Sequence, residues 1–262
     1  MHTRNIFLYW VGDDYSLISI LRDLIVLHST NGKGYTVTLI TDKNIRNYIK
    51  NIPTYFTKLC PAHQADFVRV NIICDYGGIW LDSDTLVLDT LDSLFNVIES
   101  KDGFFIRENN NILWNGIFGS KPNTLLMNEW KSKMLDILDT TQGSIGWTTI
   151  GNQLLQSIYD ENKSLYYDYT ILNGLDNLYP VNWNNCVTEF IDKPYENYKN
   201  IIRTYQPLIV LVNSVYKRLK NMSQEEILHG NMPLNYFIKK SFENSQIYHN
   251  SMNVQIKEVA IV

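Results

Sequence analysis

Two aspartates separated by one residue, Asp82-Ser83-Asp84, stand directly behind the apolar triplet Ile79-Trp80-Leu81. Upstream, Asp66 and Arg69 are three residues apart in a stretch with helical spacing of apolar residues, so they share one helix face. Paired carboxylates at this spacing make a hard oxygen site of the kind that takes Mg²⁺ or Mn²⁺, cations that keep several waters and bind substrate phosphates. An acidic turn is the other reading of Asp-Ser-Asp. The apolar strand, the double glycine and the helix carrying Asp66 and Arg69 favour the metal site.

Those residues have to be positioned. Pro61 suits a first helical turn, and Ala65, Val68, Ile72 and Phe67, Val70, Cys74 give two apolar rows, so this helix is expected to be buried over much of its girth. Gly77-Gly78 ends it, because glycine enters positive φ without strain. The triplet that follows is then a short buried strand with the aspartates at its carboxyl end, where open α/β sheets bind their ligands.

Before this segment the pattern is strand (Ile6 to Val11), helix (Ser16 to His28), strand (Tyr35 to Thr41) and helix (Asn44 to Ile52, capped by Asp42 and stopped by Pro53). That alternation predicts an α/β fold with a mostly parallel, Rossmann-like sheet. Trp10 and Thr41-Asp42 then fall on the same rim as Asp82, although core packing explains Trp10 equally well. Further strands are expected at Gly103 to Ile106, Leu113 to Phe118, Leu178 to Val181 and Leu208 to Val212. Helices are expected at Leu91 to Ile98, at Asn123 to Leu138, from the glycine-punctuated Gly143 to Gly151 loop through Tyr159, after a capping box at Ser223 to Glu226, and from Pro233 to Phe242. The loop lacks P-loop spacing, but a loop entering a helix can hold an anion. With no repeat or linker, residues 1–262 read as one domain with a helical C-terminal part.

Composition narrows the classes. The chain has 262 residues, a net charge of −4 and scattered lysines, which gives no electrostatic footprint for nucleic acid. Three cysteines, Cys60, Cys74 and Cys186, form no CxxC pair, and the five histidines show no zinc spacing. A reducing, cytoplasmic compartment is expected, with no signal peptide and no transmembrane segment. Lys239-Lys240 beside Phe237 and Phe242 has two readings, a solvated helix and, with less weight, association with a membrane surface.

The run AHQADFVRVNIICDYGGIWLDSDTLVLDTLDSLF closely resembles the DXD-motif sugar transferases, a family that includes capsular-polysaccharide glycosyltransferases and fungal mannosyltransferases, with glucosylating toxins as distant relatives. The residues carrying the likeness are Asp66, Arg69, Gly77-Gly78, Trp80, Asp82 and Asp84. Collinear, looser matches are Trp10-Val11-Gly12, Trp147 to Gly151 and Leu211 to Tyr216.

The resemblance implies a GT-A type nucleotide-diphospho-sugar transferase fold and a retaining, metal-dependent hexosyltransferase using a UDP- or GDP-sugar and a glycan or protein acceptor. In that scheme Asp66, Arg69 and Asp82 are catalytic. Trp10, Val11, Asn213, Ser214 and Tyr216 join them in binding the donor. Asp82, Asp84 and Asn213 hold Mn²⁺ or Mg²⁺, and Trp147, Thr148 and Gly151 face the acceptor. Two positions depart from the family pattern: Val210 replaces a histidine, so it cannot ligate metal, and Asn152 replaces a common proline. Two rival readings use the same residues, a DxDxT phosphatase with Asp82 as phosphoryl nucleophile, and a nucleotide-sugar-binding module without turnover.

Overall fold

The computed structural model describes residues 4–29, 35–107, 111–141, 144–202, 206–212 and 219–251. In chain order they form β1 (Arg4–Tyr9), α1 (Ser16–Ser29), β2 (Tyr35–Ile40), α2 (Ile45–Tyr48), α3 (Pro61–Tyr76), β3 (Gly78–Leu81), β4 (Thr85–Val87), α4 (Asp92–Ser100), β5 (Gly103–Arg107) and β6 (Leu113–Ser120). Then follow α5 (Leu125–Thr140), α6 (Asn152–Glu161), β7 (Tyr169–Asn173), α7 (Gly174–Asn177), α8 (Tyr198–Ile201), β8 (Leu208–Val210), α9 (Gln224–His229) and α10 (Pro233–Ser251).

The main sheet has the strand order β2-β1-β3-β6-β5-β7. β1 pairs in parallel with β2 and β3, β5 pairs in parallel with β7, and β6 runs against both β3 and β5. Five strands therefore point one way and β6 opposes them. Their carboxyl ends, with the amino end of β6, make a single rim.

Both faces are covered, which explains why the strands read as apolar runs rather than alternating ones. Phe7, Trp80, Phe105 and Phe118 pack on the side of α3, α5 and α6. Their strand neighbours Ile6, Leu8, Ile79, Phe104 and Ile117 pack on the opposite side with residues of α4. A third cluster joins α1 to α9 and α10.

A second, two-stranded sheet pairs β4 antiparallel with β8. Its register, extended by Leu211 N donating to Asp84 O at 3.2 Å, brings the late chain back beside the aspartate pair.

Gly77 and Gly78 have φ values of +66° and +115°. A Cβ on Gly78 would lie 2.4 Å from Asn5 O, and one on Gly77 would lie 2.6 Å from Pro122 Cδ. The double glycine thus serves conformation and close approach together: α3 stops, and β3 starts against β1 with no room for a side chain.

Some sequence expectations are corrected. Leu178 to Val181 is not a strand; Leu178 and Tyr179 are buried after α7, in a turn where both of their amides donate to Gly174 O. The edge strand is instead β7, whose half-buried residues gave no clear apolar signal. The helix expected over 44–52 contracts to α2. Asn44, rather than Asp42, organises its start, accepting from Thr41 N at 2.8 Å and donating to Leu39 O at 2.9 Å. The capping box at Ser223 and Glu226 is present.

Candidate active site

The rim carries a cavity of about 550 Å³ whose wall includes Trp10, Asp66, Arg69, Asp82, Asp84 and Trp147. Each reaches it for a local reason. Asp66 and Arg69 lie one helical turn apart on α3, on the face turned toward the strand ends. Asp82 is the first residue past β3, and its N–H donates to Gly116 O at 2.8 Å, continuing the ladder with β6. Ser83 is buried and donates through Oγ to Tyr9 O at 2.9 Å, which ties the aspartate turn to the end of β1.

The floor is one connected network. Arg69 Nη2 donates to Asp82 Oδ1 at 3.0 Å, and Nη1 donates to Asn115 O at 2.8 Å and lies 3.5 Å from Asp66 Oδ1. Asn115 Nδ2 donates to Asp66 Oδ1 at 2.8 Å, and Trp80 Nε1 donates to Asp82 Oδ1 at 2.8 Å. The guanidinium also lies over the Trp80 ring, 5.2 Å from its centroid.

Asp66 and Arg69 are each 6% exposed, so their charges are fixed by one another rather than by water. Burial pushes the Asp66 carboxyl above its ordinary range while Arg69 and Asn115 pull it down. Asp82 is likewise raised by burial and opposed by Arg69 and by Trp80.

Of the four carboxylate oxygens on Asp66 and Asp82, each Oδ1 is engaged by these donors, and each Oδ2 has no hydrogen-bond donor among the described residues. Both Oδ2 atoms press on glycines. A Cβ on Gly116 would sit 2.8 Å from Asp82 Oδ2, and a Cβ on Gly151 would sit 2.8 Å from Asp66 Oδ2. Gly151 therefore acts beneath Asp66, where its missing side chain lets the carboxylate in.

Asp84 is half-buried and lines the cavity beside Val210, which is buried and pairs with Thr85. Among the described residues no three His, Cys, Asp or Glu side chains gather as a metal cluster. Asp84 and Asp82 Oδ2 are hard oxygen donors on one turn. Such a set fits a cation that takes its remaining ligands from water and a bound diphosphate. Asn213, Ser214 and Tyr216 lie outside the described residues.

Trp10 both packs and faces the cavity. Its ring tilts against Tyr15 at 6.1 Å, and its Nε1 is buried without a partner among the described residues. Val11 lines the same wall. Trp147, 70% exposed, and its chain neighbour Thr148 also line the cavity. Their loop is pinned to α3 by His63 Nε2 donating to Gly146 O at 3.1 Å.

Sequence reasoning missed Asn115 and Lys220. Asn115 had a signal, a lone polar residue inside the apolar run from Leu113 to Phe118. Its N–H donates to Asn152 Oδ1 at 2.8 Å, so the departure at Asn152 supports the network through the start of α6. Lys220, on the cavity wall, had none.

The membrane-surface reading of α10 loses its aromatic pair. Phe237 is buried, Phe242 packs on the same core and Lys240 pairs with Glu243 at 3.8 Å. No helix among the described residues is long and apolar enough to cross a membrane.

Known structures share this architecture. The glycosyltransferase GlyE of Streptococcus pneumoniae TIGR4 superposes with a TM-score of 0.52 at 13% identity, over 95% of this chain and 62% of that one. A glycosyltransferase involved in glycosylating the major capsid of PBCV-1 matches with a TM-score of 0.50 at 12% identity, over 83% of this chain and 98% of that one. At these identities the likeness is one of fold: a six-stranded, mostly parallel GT-A glycosyltransferase fold. A protein of Arabidopsis thaliana is 46% identical over 46 residues, 18% of this chain and 7% of its own length. The chain thus spans a small part of that relative and under two thirds of GlyE. The family of capsular polysaccharide synthesis proteins matches residues 1–255, and this chain belongs to it.

Proposed function

We propose that the chain is a glycosyltransferase that moves a hexose-type sugar from a UDP- or GDP-linked donor to a hydroxyl of a glycan or other acceptor, with retention of configuration. One observation carries the reading: the Asp66–Arg69–Asp82–Asn115 network forms the floor of an aromatic-walled cavity at the carboxyl rim of the sheet. Within it, Asp66 Oδ2 accepts from a donor-sugar hydroxyl, because Asn115 already holds Oδ1. Arg69 fixes both carboxylates as anions in place. Trp10 offers a ring to the base, and Trp147 borders the acceptor side.

In the reaction the bond from C1 to the β-phosphate oxygen breaks and its electron pair stays on that oxygen. The acceptor oxygen bonds to C1 from the same face and gives its proton to the departing phosphate. Asp84, with Asp82 Oδ2, would hold a divalent cation, Mn²⁺ or Mg²⁺, which when bound neutralises charge on the leaving diphosphate.

The test is a binding and hydrolysis screen of UDP- and GDP-sugars with Mn²⁺, on wild type and Asp84→Ala. Wild type should bind one donor and slowly release its sugar, and the variant should bind more weakly. Equal binding by both removes the metal assignment. Phosphate release from monoesters would instead identify a phosphatase, and binding without sugar release to water or any acceptor would identify a module without turnover.

A further inference from the structure

We infer that Lys220 is the cation that recognises the diphosphate of the donor; this rests on the nucleotide-sugar reading above and assigns a residue to it. The charge of the cavity wall is the first ground. Among the described residues its carboxylates are Asp13, Asp66, Asp82 and Asp84, and its cations are Arg69 and Lys220. Arg69 is committed to Asp66 and Asp82. Lys220 pairs with no carboxylate among the described residues. Among the described residues, an anionic diphosphate entering this cavity therefore meets one cation, Lys220, that is not already paired with a carboxylate.

Placement is the second ground. Lys220 Nζ lies 5.5 Å from the centroid of the Tyr15 ring, which in turn tilts against Trp10 at 6.1 Å. Trp10 and Lys220 thus flank one tyrosine, and Asp84 lines the same cavity. A nucleotide laid from Trp10 toward the aspartate pair passes Lys220 with its phosphates.

The backbone there is anchored. Leu219 is buried and Met222 N donates to Leu219 O at 3.1 Å, just before the capping box that starts α9. A lysine ammonium, with three rotatable donors on a flexible stem, suits phosphate oxygens as a point charge. As the bond to C1 breaks, the same ammonium faces the growing charge on the β-phosphate.

The test compares nucleoside, monophosphate and diphosphate (uridine, UMP, UDP and the guanosine series) by calorimetry on the full chain, with Mn²⁺ and again with EDTA. Wild type should bind its preferred diphosphate more tightly than the monophosphate. Lys220→Ala should weaken the diphosphate about tenfold, the worth of one charge-assisted hydrogen bond, and change the nucleoside less than twofold. Lys220→Arg should keep most of the affinity, and the loss in Lys220→Ala should persist in EDTA. If Lys220→Ala binds the diphosphate as wild type does, Lys220 is an ordinary solvated lysine and the inference fails while the transferase reading stands. If wild type binds no nucleoside diphosphate, both fail.

Discussion

Arg69→Met is the substitution whose consequences the structure fixes most tightly. Methionine keeps the stem and most of the packing but removes the donors to Asp82 Oδ1 and Asn115 O and the charge beside Asp66. Asp66 then keeps Asn115 and Asp82 keeps Trp80, one hydrogen bond each, with two carboxylates now facing each other unscreened. Breaking a buried pair by removing one partner costs about 3–5 kcal/mol, most of it from the charge left behind. For a chain of this size each kcal/mol lowers Tm by about 2–4 °C, so a fall of roughly 10 °C is expected at pH 7.5.

The pH dependence carries the sharper test. Burial already raises both carboxyls in the folded protein, and losing Arg69 raises them further. A carboxyl whose folded pKa exceeds its unfolded one favours the folded state once protonated. That stability is complete below the ordinary carboxylate range and is lost as pH climbs through the folded pKa. The Tm deficit of Arg69→Met relative to wild type should therefore shrink from pH 8 to pH 5. Arg69→Met/Asp82→Asn, which leaves a single buried carboxylate, should recover part of it at pH 8. Thermal melts at four pH values suffice. A deficit that stays flat with pH, or a Tm within 2 °C of wild type at pH 7.5, would refute the claim that Arg69 is there to hold two anions.

Other substitutions probe the site from its edges. Gly151→Ala puts a methyl 2.8 Å from Asp66 Oδ2 and 2.7 Å from Asn115 Nδ2, and should cut donor turnover by ~100-fold by displacing the carboxylate, in line with the penalty for ~1 Å misplacement. Sugar release from the preferred donor measures it, and unchanged turnover would show that Asp66 need not sit where it does. Gly78→Ala combines φ +115° with a 2.4 Å approach to Asn5 O and should destabilise by about 3 kcal/mol or more, read by urea unfolding. EDTA should abolish sugar release, with Mn²⁺ restoring it in wild type and only weakly in Asp84→Ala. Donor hydrolysis that persists in EDTA would dismiss the cation.

What could be read in the sequence was whatever rests on local rules. Pro61, the two apolar rows of α3, the double glycine and the buried triplet of β3 each follow from backbone conformation or periodicity, and together they place Asp66, Arg69, Asp82 and Asp84 on one rim. Failures came where the deciding contact is distant in sequence. β7 is an edge strand with half-buried residues, so no strong alternation marks it, whereas Leu178 and Tyr179 are apolar because they are buried in a turn. Asn115 earns its place from Asp66, 49 residues away in the chain. Lys220 is one lysine among several until the fold sets its ammonium over Tyr15.

The division of charge separates the roles that the proposal gives to a bound metal ion and to Lys220. Arg69 is buried and bridges two carboxylates, Asp66 and Asp82, a geometry that makes it a fixed part of the floor and leaves it little to offer a ligand. An anion entering must therefore be met by something not already bound in that floor, and two candidates on the cavity wall are a cation held at Asp84 and the flexible side chain of Lys220. The two respond differently to their removal, since chelation acts on one and Lys220→Ala on the other. Applying both to the same diphosphate titration separates their shares. If the losses add in free energy the two act on separate phosphate oxygens, whereas a combined loss no larger than either alone means that one of them only holds the other in place.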